Sequence, residues 1–159
     1  SYGLTAAYDA AVENQFADWR LDVRGMVDRP LSLSMTDIRA LPQRTQITRH
    51  DCVEGWSAIG EWTGPQLSTL LEAAGVQEGA KYAVFRCADN LNGADYYESC
   101  DMDDAMHPQT IVAHLLNGEA LPEINGAPLK IPAILPRLGG TPGGTRWPGG
   151  DAGCDTRVE

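Results

Sequence analysis

The spacing of apolar residues changes repeatedly along this chain, and these changes limit its fold more than any other feature. Apolar and polar side chains alternate over residues 19–27, which predicts a strand with one solvent-facing surface. Over residues 67–74 apolar side chains recur three and four positions apart, which predicts an amphipathic helix with Pro65 at its first turn and Gly75 past its end. Short segments of both kinds predict an α+β domain with a mixed β-sheet and short helices.

Turn residues separate further short elements. A brief helix is predicted over residues 37–41, with Thr36 as its cap. The other predicted strands cover residues 31–33, 43–52, 81–88 and 96–102. The dipeptide Asn117-Gly118 predicts a tight turn after residues 111–116, a segment whose periodicity leaves strand and helix both open.

Composition divides the chain into three parts. Residues 1–17 form a weak lead-in, with a helix expected over residues 6–16. Residues 18–132 form the predicted domain. Residues 133–159 are rich in Gly and Pro and follow neither periodicity, which predicts a loop-rich or disordered tail.

The charge balance excludes some partners. The chain has 22 acidic and 12 basic residues, a formal charge of −10. A protein this acidic is not expected to bind nucleic acid or anionic lipid through its overall charge. No apolar run reaches the ~18 residues of a membrane-spanning helix, so membrane insertion is not expected either. Any bound anion must be met by a local group of cationic side chains and N–H groups.

One of the four cysteines lies in a setting that suits chemistry. No C-x-x-C pair is present, so a zinc ribbon or a thioredoxin-type motif is not expected. Cys52 ends a predicted strand and has Arg49 and His50 shortly before it, and cationic neighbours favour a thiolate that acts as nucleophile or soft-metal ligand. A buried cysteine beside a surface ion pair is the alternative. Trp56 and Trp62 flank this segment, either as core or as the wall of a pocket above the thiol.

The segment around Cys52 opens a series of motifs that resembles the sulfite-oxidase-like molybdopterin-dependent oxidoreductases. The motifs keep the family's order over residues 18–130. They are TRHDCVEGWSAIGEW from Thr48, YAVFRCAD from Tyr82, YYES from Tyr96, DAMHPQT from Asp104, LNG from Leu116 and GAPLK from Gly126. The resemblance implies an α+β domain of the sulfite-oxidase molybdopterin-binding type, built around one molybdenum–molybdopterin cofactor.

The resemblance also implies roles for single residues. Cys52 is the expected molybdenum ligand and, with Arg49, the expected catalytic residue. The expected cofactor-binding residues are His50, Cys52, Asp89, Asn125 and Lys130. Asn125 stands where sulfite oxidases commonly have His, and the protein-methionine-sulfoxide-reductase branch is similar in having Asn there. Lys130 replaces the usual Arg, which keeps the charge for the cofactor phosphate and loses the two-pronged fork.

Three hypotheses of function follow. The leading one is a molybdenum-cofactor enzyme that transfers an oxygen atom on a small sulfur compound, a sulfoxide or sulfite, and exchanges electrons with a separate partner. No C-x-x-C-H haem motif is present in the sequence, so a haem partner is expected to be another chain. The second is a truncated or frame-disrupted family member that keeps the fold, binds the cofactor poorly and is not catalytic. The third is a zinc or copper site made of Cys and His.

The tail of the chain favours the second hypothesis, and both ends depart from the family's pattern. Family members have more sequence before the strand at residues 19–27, so the lead-in is expected to be truncated. After Lys130 the family continues with a Gly-aromatic-Lys segment, and residues 131–159 lack one, so the tail is expected to be aberrant. Because family members are often exported with the cofactor inserted, the expected location is the periplasm, with a leader that this chain does not include, and the cytoplasm is the alternative.

Overall fold

The structure is a computed structural model that describes residues 6–51, 57–91, 94–131 and 154–158. Within these ranges it confirms the predicted α+β class, with two β-sheets and short helices. The helices are α1 (Ala6–Glu13), α2 (Met35–Ala40), α3 (Leu67–Ala74) and α4 (Met102–Ala105). The strands are β1 (Arg20–Gly25), β2 (Leu31–Ser34), β3 (Gln43–Asp51), β4 (Ser57–Pro65), β5 (Tyr82–Leu91), β6 (Ala94–Asp101), β7 (Leu115–Leu116), β8 (Glu119–Ala120) and β9 (Cys154–Val158).

A five-stranded sheet carries the larger core. Its strand order is β2-β1-β9-β5-β6, and β9 runs parallel to β1 and antiparallel to β5. Apolar side chains of this sheet pack against α2 and α3, which bury the apolar faces that their spacing predicts. The large side chains below 2% exposure in this core include Leu21, Val23, Ile38, Leu67, Leu70, Leu71, Phe85 and Val158.

A four-stranded antiparallel sheet carries a second, smaller core. Its order is β3-β4-β7-β8, and β3 pairs with β4 along the whole length of both strands. The Asn117-Gly118 turn joins β7 to β8 as predicted, with φ angles of 53° and 80°. Two positive φ values suit the right-handed twist of a tight hairpin, which explains the Asn-Gly pair. The small core on this sheet consists of Trp62, Ile111, Leu116, Ala113 and Leu121.

The predicted starts of α2 and α3 differ from the observed ones, and α1 ends at Glu13 rather than at residue 16. Helix α2 begins at Met35, because Ser34 caps it and the Asp37 carboxylate accepts a hydrogen bond from the Ser34 N–H at 2.8 Å. This reciprocal capping box satisfies two N–H groups at once, so Thr36 lies inside the helix and its prediction as the cap is wrong. Helix α3 ends at Ala74 with Gly75 just past its end, as predicted, but Pro65 is the last residue of β4 rather than part of the first turn.

The last strand contradicts part of the prediction for the tail. Composition predicts loop or disorder over residues 133–159, but residues 154–158 form β9 in the middle of the five-stranded sheet. Val158 is fully buried, and its carbonyl accepts a hydrogen bond from the Met26 N–H at 2.8 Å. The strand forms because β1 and β5 supply main-chain partners on both sides, a non-local cause that a short segment's own pattern does not reveal. The rest of the tail lies outside the described ranges, and its prediction stays a prediction.

A search of the described helices for a bilayer-crossing segment finds none of the required length and apolar character.

Candidate functional site

The site is built on the strand that leads to Cys52. Strand β3 ends at Asp51, so the predicted molybdenum ligand is the next residue in the chain. Side chains alternate along β3: Gln46 and Thr48 are each 8% exposed, whereas Ile47 is 70% exposed. Even-numbered positions of β3 therefore lie on what we call the buried face of the four-stranded sheet, and odd-numbered positions lie on its outer face.

Strand β4 places an aromatic ring on the same buried face. Gly60 is paired with Thr48 and Trp62 with Gln46, so their side-chain positions point the same way. A Cβ atom added to Gly60 would lie 3.3 Å from Trp62 Nε1 and 2.7 Å from Leu116 Cδ1. Because Gly60 has no side chain, the Trp62 indole lies against it and so beside the residue paired with Thr48.

Lys130 brings a buried cation to this ring. Its main chain is fixed by two hydrogen bonds with Ala113, of 2.9 Å from the Lys130 N–H and 2.7 Å from the Ala113 N–H. The side chain is only 8% exposed, and Nζ lies 5.9 Å from the centre of the Trp62 ring. Lysine is rarely buried this deeply, and the ring face is an attractive position for an ammonium group. The backbone and the ring together hold the cation in one place.

A short 3-10 turn precedes Lys130 and contains Asn125. The turn covers Glu123–Asn125, and its last N–H donates to the Pro122 carbonyl at 2.9 Å. Gly126 follows with a φ of 94°, a conformation that favours glycine and reverses the chain toward Lys130. Asn125 itself is half-buried. The structure thus places two of the predicted site residues on one compact segment.

Of the other predicted site residues, Arg49 alone has a described side chain. Arg49 is exposed on the outer face of β3, on the opposite side of the sheet from Trp62 and Lys130. Cys52 lies outside the described ranges. The main chains of His50 and Asp89 belong to β3 and β5, but their side chains are outside the described set. The roles assigned to these four residues stay predictions.

Two side chains that contribute to the site were missed by sequence analysis. Tyr8 is 1% exposed and its hydroxyl donates to the Ala127 carbonyl at 2.9 Å, so α1 holds the segment that carries Lys130. Thr48 is buried on the same face as Trp62, and its hydroxyl has no hydrogen-bond partner within the described ranges. Alternation along β3 could have identified Thr48 as inward-facing. Tyr8 gave no signal, because its contact spans 119 residues of sequence.

A conventional metal cluster is not part of this arrangement. No group of three His, Cys, Asp or Glu side chains converges within the ranges that the structure describes. A zinc or copper site that uses Cys52 falls outside those ranges, so that hypothesis stays a prediction.

The described residues fit molybdopterin. The cofactor's phosphate needs cationic partners when it leaves water, and Lys130 is a buried cation held in a fixed position. Polar groups of the cofactor also need hydrogen-bonding partners, and the buried Thr48 hydroxyl has no partner within the described ranges. Both lie on the buried face of the sheet whose strand β3 leads directly to Cys52, the thiol that a soft metal prefers.

Comparison with known sequences agrees with this fit. The family model "oxidoreductase molybdopterin binding domain" matches residues 9–142. A putative protein-methionine-sulfoxide reductase subunit YedZ1 of Azospira oryzae is 44% identical over 77% of this chain and 45% of its own length. The protein-methionine-sulfoxide reductase catalytic subunit MsrP of Campylobacter jejuni is 36% identical over 72% of this chain and 42% of its own length. This chain therefore spans less than half the length of the curated relatives it matches.

Comparison with solved structures supports the fold. The crystal structure of the sulfane dehydrogenase SoxCD from Paracoccus pantotrophus matches 89% of this chain and 38% of its own chain, with a TM-score of 0.72 and 23% identity. This confirms the predicted molybdopterin-binding fold of the sulfite-oxidase type. Because the family model covers most of the sequence, this chain belongs to the family of oxidoreductase molybdopterin-binding domains, whose cofactor is molybdopterin.

Proposed function

We propose that this chain is the cofactor-binding domain of a molybdenum oxidoreductase that transfers an oxygen atom on a small sulfur compound, with a sulfoxide as its preferred substrate. The observation that carries the proposal is the buried Lys130 cation fixed over Trp62, on the sheet face that leads to Cys52. The family match and the names of the relatives give the reaction class.

The chain's own residues hold the cofactor at two points. Cys52 donates a thiolate to the metal, and Lys130 binds the phosphate through a charge-assisted hydrogen bond. The pair of main-chain bonds between Lys130 and Ala113 fixes the backbone from which that side chain extends. His50, Asp89 and Asn125 supply further polar contacts to the pterin.

The bound cofactor supplies oxygen-atom exchange at molybdenum together with storage of two electrons. In the sulfoxide direction, the S–O bond breaks and the sulfoxide gains two electrons and two protons, giving a thioether and one water. The electrons come from a separate partner, which we propose is a haem protein. We propose the periplasm as the location of this exchange.

Charge favours a sulfoxide over sulfite as the substrate. Sulfite is an anion at neutral pH, and its binding requires converging cations. This chain has a formal charge of −10, and the exposed Arg49 lies on the other face of the sheet from Lys130. A neutral sulfoxide needs no such cluster. The two relatives named above are both protein-methionine-sulfoxide reductases by name, which agrees with this preference.

The test compares substrates and a thiol variant in protein purified with its cofactor. We expect kcat/KM for methionine sulfoxide, with a reduced dye as electron donor, to exceed that for sulfite oxidation. Cys52→Ser should abolish turnover, because a hydroxyl is a harder and far less acidic donor than a thiol. A higher kcat/KM for sulfite would refute the substrate preference, and full turnover by the metal-loaded Cys52→Ser protein would refute the role of the thiol.

A further inference from the structure

We propose that Thr48 is a further molybdopterin-binding residue, whose buried hydroxyl donates a hydrogen bond to a polar atom of the cofactor. This inference rests on the proposed function, because it needs the cofactor to lie on the buried face of the four-stranded sheet. The roles that the family resemblance implies for single residues do not include one for this hydroxyl.

The first support is the state of the hydroxyl itself. Thr48 is 8% exposed, and its Oγ1 has no hydrogen-bond partner within the described part of the chain. A buried polar group without a partner costs free energy, and a valine of nearly the same shape would avoid this cost. A threonine here is therefore explained best by a partner that binds from outside the chain.

The neighbouring polar side chains make the contrast clear. Gln46 lies two residues earlier on the same face, and its amide donates to the Gln109 carbonyl at 2.8 Å and accepts from Arg44 at 2.9 Å. Thr45 lies on the outer face, and its hydroxyl is 2.8 Å from that of Thr63. The chain thus satisfies these two neighbouring polar side chains, whereas the Thr48 hydroxyl has no partner within the described ranges.

The second support is position. Thr48 lies four residues before Cys52, so at the rise of an extended strand their Cα atoms are at most about 13 Å apart. On the same face, the residue paired with it is Gly60, and the Trp62 indole fills the space beside that glycine. Lys130 Nζ lies over this indole. A cofactor held by Cys52 and Lys130 therefore passes the Thr48 hydroxyl.

The experiment uses matched substitutions on one strand. Thr48→Val and Thr45→Val remove the same hydroxyl from opposite faces, and Thr48→Ser keeps the hydroxyl. Two quantities are measured for each protein: the dissociation rate of molybdopterin from the loaded protein, followed by pterin fluorescence, and the Tm of cofactor-free protein.

For Thr48→Val we expect about tenfold faster cofactor dissociation, the effect of one lost hydrogen bond, and an unchanged or higher Tm without cofactor. Thr45→Val should dissociate cofactor at the wild-type rate and lower that Tm, since it breaks the bond to Thr63. Thr48→Ser should restore most of the wild-type retention. A purely structural threonine would instead lower the cofactor-free Tm.

Three results would overturn the inference. If molybdopterin dissociated from the Thr48→Val protein at the wild-type rate, the hydroxyl would not bind the cofactor. A lowered cofactor-free Tm in that variant would show that the hydroxyl serves the fold. If wild-type protein purified from a host that synthesises molybdopterin contained none of it, the proposed function itself would be refuted, and this role with it.

Discussion

At the scale of single residues, the chain around His114 holds this ring in one tautomer. The side-chain amide of Gln43 donates from Nε2 to the carbonyls of Ile38 at 2.9 Å and Leu41 at 2.7 Å. Its Oε1 therefore faces His114 Nε2 at 2.9 Å, and the ring must donate from that nitrogen. Burial, with a smaller effect of Arg39, lowers the pKa of His114 from its ordinary value.

This lowered pKa predicts a loss of stability in mild acid. As the pH falls through about 6.5, the unfolded chain protonates this ring more readily than the folded chain does, so the free energy of unfolding falls. We expect His114→Gln to reduce that fall. Urea unfolding at several pH values measures it, and identical pH profiles for the two proteins would contradict the account.

Cys100 is expected to be chemically silent in the folded protein. Burial, with smaller contributions from the nearby Asp104 and Asp101, raises the pKa of its thiol to about 12. Because the thiolate is the reactive form, iodoacetamide at pH about 8 should leave this residue unmodified in native protein and modify it in urea. Peptide mass mapping distinguishes it from the other cysteines. Equal modification in both states would show that this thiol is accessible.

Single residues also show where sequence-based prediction succeeds and where it stops. The GAPLK motif identified Lys130 as a candidate for the cofactor phosphate, and the structure shows it as a buried, fixed cation. Thr48 belongs to a recognised motif, but the missing hydrogen-bond partner of a hydroxyl is a property of three-dimensional packing. Tyr8 contacts a residue far away in sequence, so no local pattern could reveal it.

At the scale of elements, substitutions at the start of α2 test which residue caps the helix. The Ser34 hydroxyl accepts from the Asp37 N–H at 3.1 Å, and the Ser34 side chain and backbone hold the pKa of Asp37 below its usual range. Ser34→Ala should cost about 1 kcal/mol of stability. That difference should shrink as the pH falls through the lowered pKa of Asp37, because the protonated carboxyl no longer completes the box.

The matched control for this cap is Thr36→Ala, which replaces an exposed residue inside the helix. It should change the free energy of unfolding by less than about 0.5 kcal/mol. Urea unfolding measures both variants. If Thr36→Ala proved the costlier change, the cap would lie where the sequence alone predicted it.

Strand β9 depends on one glycine of its neighbour β1. Gly25 has a φ of 103°, and an added Cβ would lie 2.0 Å from the Val158 carbonyl oxygen. Gly25→Ala therefore adds a backbone clash to conformational strain and should cost more than the ~1–3 kcal/mol of strain alone. It should also speed amide hydrogen exchange within residues 155–158.

Gly118→Ala is the control, because Gly118 also has a positive φ, of 80°, but an added Cβ would meet nothing within 4 Å. It should cost only about 1–2 kcal/mol. Equal costs for the two substitutions, or exchange in β9 as fast as in an unfolded peptide, would contradict the central position of this strand.

Elements with their own periodicity or turn signal were predicted well, and those made by their neighbours were not. The pattern of α3 and the Asn117-Gly118 turn carry local causes, so sequence was sufficient for both. The described side chain of β9 is that of Val158, which is apolar and buried, and the pairing of this strand with β1 and β5 is long-range. Its parallel pairing with β1 is the kind of contact that composition cannot encode.

At the scale of the whole molecule, motif order predicted the family, and the arrangement of the two sheets came only from the structure. The ordered series of motifs was enough to identify a molybdopterin-binding domain, which the family model confirms. The placement of Lys130 over Trp62 depends on main-chain bonds between Ala113 and Lys130, two segments that no motif connects.

The measurement that tests the central claim most directly is the molybdenum and molybdopterin content of purified protein. Elemental analysis and pterin fluorescence should find the two in equal amounts in wild-type protein. Both should fall by roughly tenfold or more in Lys130→Met, which removes the charge and keeps much of the buried volume. Zinc or copper in place of molybdenum, or wild-type cofactor content in Lys130→Met, would contradict the account.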